Sequence, residues 1–116
     1  MNQVTCPEWI QTTLDDMKAS DIQILSVSHL TSITDFMIIC SGSSSTQIKA
    51  IANRVIDESK KNGCRPLGIE GLESNEWVLV DLDDVVVHVM HPEARKTYDL
   101  EKLWDFTEAS RAGNED

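Results

Sequence analysis

Asp81 and Asp83, one residue apart, and the earlier pair Gly42-Ser43 are the residues whose types best suit catalysis. Carboxylates in that arrangement can share two magnesium ions and align a nucleoside triphosphate, giving nucleotidyl transfer. The spacing argues against this use. Gly42 and Asp81 are separated by a long helical pattern and a further strand, Asp83 falls in a turn, and no group of lysines or arginines accompanies them to hold a triphosphate. The serines that follow Gly42 are sufficiently explained as a helix cap. Catalysis is not expected, and neither is a cofactor.

His88 and His91 invite a metal reading. Three positions apart on a strand, they point to opposite faces and cannot ligate one ion together, so no metal site is expected. Cys6, Cys40 and Cys64 are odd in number and widely spaced, which fits reduced thiols in a cytoplasmic protein rather than a disulfide framework. Cys40 lies in an apolar run and reads as an inert core residue.

The most legible segment runs from Trp77 to Met90. Two strand-like stretches flank Asp83-Asp84, which predicts a hairpin with a two-residue turn. In that register Leu82 faces Val85, Val80 faces Val87 and Val78 faces Val89, an aliphatic face that must be core. The other face pairs Asp81 with Val86, Leu79 with His88 and Trp77 with Met90. It mixes large apolar groups with one carboxylate and one imidazole.

The rest of the chain supplies the frame for that hairpin. Thr5, Pro7 and Glu8 predict a helix start with a capping box, and Ile10, Leu14 and Met17 an apolar stripe ending near Ser20. Residues Ile22 to Val27 and Phe36 to Cys40 read as strands joined by a loop from His29 to Thr34. Ser44 and Gln47 form a second capping pattern, opening a long helix buried through Ile48, Ile51, Ala52, Val55 and Ile56 and closed at Asn62-Gly63. Arg65 to Ile69 is a short strand. Pro92-Glu93 opens a last helix, with Leu100, Leu103 and Trp104 continuing its apolar contacts. The order is helix, two strands, helix, three strands, helix, an α/β fold with a mixed sheet of about five strands flanked by helices. Residues 1–106 are expected to form a single domain, and 107–116 a flexible polar tail.

Composition restricts the partners. The 116 residues suffice for one domain, and no apolar run is long enough to span a bilayer. The N-terminus has neither the basic start nor the apolar stretch of a signal peptide. Twenty acidic residues against ten basic ones give a net charge of −10 and a pI near 4.6. Such a surface repels phosphate backbones, so direct nucleic-acid binding is not expected, and it favours basic protein partners.

Several stretches resemble the Iojap, or ribosomal silencing factor, family: Lys18-Ala19-Ser20-Asp21-Ile22, Leu30 to Phe36, Ser41 to Ser44, Lys49 to Ala52, Pro66 to Gly71, Trp77 to Asp81, Asp84 to Val89, His91 to Arg95 and Tyr98 to Trp104. They fall in order over most of the chain. The resemblance implies a nucleotidyltransferase-like fold without catalytic activity. It implies binding to the large ribosomal subunit through the subunit's protein fourteen, at the face that meets the small subunit. Occupying that face would block subunit joining and lower translation when nutrients are scarce; organellar relatives assist large-subunit assembly. Two positions depart from the pattern: Thr46 stands where the family usually has arginine, and Asp83 where glycine is common.

Read without the resemblance, Trp77 is more often a core residue than a contact residue, and Asp81 a solvated charge. The resemblance reverses the weighting. It makes Trp77, Leu79, Asp81, Val86, His88 and Met90 the partner-binding set, with Trp77, Leu79, Asp81 and Met90 partly exposed in the free protein. The same face is apolar enough to pair with itself, so a monomer or a homodimer is compatible with the sequence.

Overall fold

Ile10 and Leu14, one helical turn apart, carry the buried stripe of the first helix, α1 (Glu8–Asp16), in the computed structural model, which describes residues 7–27, 34–74 and 76–99. The N-cap is Pro7, so Glu8 does not close a capping box; Thr5 lies outside the described residues. The helix ends at Asp16 rather than near Ser20. Lys18 adopts a positive φ of 60°, which no α-helix continues through, and the chain turns directly into β1 (Ser20–Ser26). The loop expected over His29 to Thr34 falls almost wholly outside the described residues.

After β2 (Phe36–Ser41) comes the long helix α2 (Ser45–Lys61). Ser44 caps it: its hydroxyl oxygen accepts the Gln47 amide at 3.1 Å. The reciprocal bond is displaced by one residue, since Gln47 Oε1 accepts the amide of Ser43 at 2.7 Å. Its Nε2 donates to the Lys18 carbonyl at 3.1 Å, tying the start of α2 to the end of α1. Gly63, at φ 76°, closes the helix as expected. Then follow β3 (Gly68–Glu70), β4 (Trp77–Asp81), β5 (Val85–Met90) and α3 (Pro92–Tyr98). The third strand starts later than expected from Arg65, because Pro66 has no amide to give a ladder. The last helix is shorter than expected. Asp99, in the left-handed region at φ 50° and ψ 51°, terminates it before Leu100; residues 100–116, with the tail expected over 107–116, lie outside the described residues.

The strands form one sheet in the order β1-β2-β5-β4-β3. The central pair β2 and β5 is parallel, with Phe36 opposite Val85 and Ser41 opposite Met90, and the other neighbours are antiparallel. The hairpin has the register read from the sequence, from Trp77 opposite Met90 to Asp81 opposite Val86. Its aliphatic face is core: Val78, Val80, Val87 and Val89 are fully buried with Ile38, Cys40 and the apolar sides of α1 and α2. Each buried valine contributes about 1.5–3 kcal/mol over its exposed form, so a one-residue slip that turned all four outward is strongly excluded. Among the described residues no helix is long and apolar enough to cross a membrane.

Candidate docking face

The opposite face of the sheet is only partly covered, and three rows of side chains cross it. Trp77, Met90 and Ser41 form the first, Leu79, His88, Ile39 and Gln23 the second, and Asp81, Val86, Met37 and Leu25 the third. Helix α3 lies over the first row. Ala94 packs on Met90 and Ile39, and Arg95 donates to the Ser41 hydroxyl at 2.9 Å. His91 caps this helix, its Nδ1 accepting the Glu93 amide at 3.2 Å.

Met90, expected to be partly exposed, is therefore 0% exposed, because α3 roofs it. The correction limits its role to supporting the face from beneath. His88 is also buried, at 5% exposure. Its Nδ1 accepts the Trp77 indole N–H at 3.0 Å, which puts the proton of the neutral ring on Nε2, and Nε2 has no partner. Burial pushes His88 from its ordinary 6.5 down to about 4, so the ring is neutral and holds the indole in one orientation.

The remaining predicted residues lie at the surface. Trp77, Leu79, Asp81 and Val86 are all half-buried. The Asp81 carboxylate accepts the Asp83 amide at 2.9 Å, and Asp83 holds a positive φ of 77° in the turn, the conformation for which glycine is suited. Three residues not singled out from the sequence join the set. Met37 and Leu25, both half-buried, continue the third row, and Tyr98 packs against Trp77 with ring centres 4.8 Å apart and planes tilted by 47°. Alternation along β1 and β2 marks Leu25 and Met37 as sharing a face of their strands, but only the sheet order brings that face beside Val86.

Of the residues considered for catalysis, Asp81 and Asp83 share the turn, but Gly42-Ser43 is not brought to them. Asp81 lies in the row of Met37, whereas Gly42 follows Ser41 at the other end of β2, roughly 13 Å further along the strand direction. Gly42 has a packing role, since an added Cβ would come within 2.9 Å of Ile48 Cγ1. Among the described residues no group of three or more His, Cys, Asp or Glu side chains is placed to hold a metal ion. What the face offers is a strip of apolar side chains interrupted by one carboxylate and bordered by two aromatic rings in contact. That combination suits binding to a protein surface.

The family described as "Ribosomal silencing factor during starvation" matches residues 4–116. The ribosomal silencing factor RsfS of Haemophilus influenzae is 46% identical over 84% of this chain and 95% of its own length. That of Bacillus subtilis is 41% identical over 90% and 88%. A crystal structure of a protein from Chromobacterium violaceum has the same fold with a TM-score of 0.81 and 49% identity, covering 83% of this chain and 80% of that one.

Proposed function

The chain belongs to the ribosomal silencing factor, or Iojap, family, and from that premise we propose that it binds the large ribosomal subunit through its half-open sheet face and keeps the small subunit from joining. The partner we assign to that face is protein fourteen of the large subunit, and the action is steric and non-catalytic. It takes place in the cytoplasm, where the subunits meet.

The half-buried strip Trp77, Leu79, Asp81 and Val86, extended by Met37 and Leu25, carries this reading. A folded domain gains by covering apolar side chains, and the central strands are covered on the first face of this sheet while the third row of the second stays half-open. Asp81 within the strip, on a chain of net charge −10, suits a basic partner such as a ribosomal protein.

The test is subunit joining followed by gradient sedimentation. Trp77→Ala removes a large ring from the border of the strip and should weaken binding by about 2 kcal/mol, roughly thirtyfold. Asp81→Lys should weaken it through repulsion that eases as salt is raised. If folded Trp77→Ala blocks joining at wild-type concentrations, the face is wrongly assigned.

A further inference from the structure

Beside Trp77 the docking face ends in a notch of about 310 Å³, walled by Trp77, Leu79 and Tyr98 and rimmed by Glu70 and Glu76. Resting on the docking-face reading, we propose that this notch is the subsite for one cationic side chain, arginine or lysine, of the docked protein.

Two independent features of the notch point to that occupant. The first is aromatic. The Trp77 and Tyr98 rings lie 4.8 Å apart at 47°, and Tyr98 is 56% exposed although it belongs to the last turn of α3. The indole cannot swing away, because its N–H is bound to the buried His88. Ring faces held in this way attract a cation, and the attraction grows as water is displaced. The second feature is the rim. Glu70 and Glu76 are exposed, and among the described residues neither carboxylate meets a cation of this chain. Glu70 is brought to the rim by the bend at Gly71, whose φ of 86° and close approach to the Trp77 carbonyl only glycine accommodates.

Other occupants fit less well. An apolar side chain would cover the rings but leave two carboxylates partly desolvated without a partner. An anion is repelled by the rim. A lysine or arginine satisfies both halves: its aliphatic stem lies along Leu79, and its charged head reaches the ring faces and the carboxylates.

The experiment measures binding to purified large subunits at several salt concentrations, with melting temperatures to establish folding. Glu70→Gln/Glu76→Gln keeps the shape of the rim and removes its charge; affinity should fall roughly tenfold, with a flatter salt dependence. Tyr98→Leu keeps apolar bulk without a ring face and should lose about threefold. The control Glu8→Gln/Asp16→Gln removes two exposed charges on α1, beneath the opposite face, and should bind within twofold of wild type. The notch is overturned if the rim variant binds like wild type, or if the control loses as much as the rim variant, since the effect is then general charge steering. Wild type that fails to bind large subunits would sink the docking-face reading itself, and the subsite with it. That outcome is separate, being read before any variant is compared.

Discussion

Replacing His88 by asparagine should remove a definite part of the protein's sensitivity to mild acid. The imidazole is pushed from 6.5 to about 4 by burial among Leu79, Ile39 and Trp77. Below 6.5 the unfolded chain therefore takes up a proton that the folded chain refuses until about pH 4. The sign follows: the stability contributed by neutral His88 is complete above pH 6.5 and is lost as pH falls from there towards 4. Across the whole window the loss is on the order of 3 kcal/mol. Between about pH 7 and about pH 5.5 it is roughly 1 kcal/mol, and that range stays clear of the isoelectric point near 4.6, where precipitation would interfere. Asparagine does not titrate, and its Oδ1 can accept the Trp77 N–H in place of Nδ1. The variant is expected to be less stable at neutral pH, because it leaves a small void, but its stability should change less between the two pH values. The assay is urea unfolding followed by tryptophan fluorescence, wild type against variant at each pH. The carboxylates contribute equally to both proteins and cancel in the comparison. If both lose the same stability over this range, His88 does not titrate as its burial requires.

Asp83→Gly should raise the melting temperature, gaining about 0.5 kcal/mol as the positive φ of the turn becomes unstrained while the amide bond to Asp81 is kept. Ser44→Ala should cost about 1 kcal/mol in denaturant unfolding, since it removes the acceptor for the Gln47 amide at the start of α2. In a Cys6→Ser background a thiol reagent at mild alkaline pH should modify the exposed Cys64 at once. Cys40, buried and pushed up to about 12, should react only after unfolding.

The parts of this fold that were legible in the sequence share one physical property: their pattern is enforced by one dominant contact. The alternation of Val78, Val80, Val87 and Val89 is enforced by α2 and α1 beneath it, so both the register and the buried face follow from it. Ile48, Ile51, Val55 and Ile56 mark α2 for the same reason. What was not legible depends on contacts between segments distant in the chain. Met90 alternates like an exposed partner of Trp77, yet Ala94 of the following helix covers it. The end of α3 turns on Asp99 adopting a left-handed conformation, which aspartate tolerates but does not announce. Leu25 and Met37 enter the proposed docking face only because β2, not another strand, lies parallel beside β5. The apolar and acidic residues of the hairpin were readable as a mixed face, but how much of that face stays open was not.

The placement of α3 over a single row, together with its length, bears on that last point. At seven residues it spans roughly 10 Å, whereas five strands place roughly 19 Å between the outer two. Helix α2, with 17 residues, reaches about 25 Å and shares the other face with α1. Among the described residues, one face is thus covered across its central strands, with Ile24 and Ile69 exposed on the outer ones, and the other is roofed only over the row of Trp77, Met90 and Ser41. The division separates two kinds of sensitivity. Truncating Val80 or Val87 empties space in a closed core, a change that acts on stability. Truncating Val86 or Leu79, half-buried on the open side, removes little from the core and acts chiefly on whatever covers the strip. Arg95 meets Ser41 and Tyr98 meets Trp77, so α3 runs along the first row and leaves Val86 and Met37 two rows away. Beneath that row His88 and Met90 are fixed by burial, and His88 holds the Trp77 indole through its N–H, so under the proposed function the face meets its partner in one preset shape.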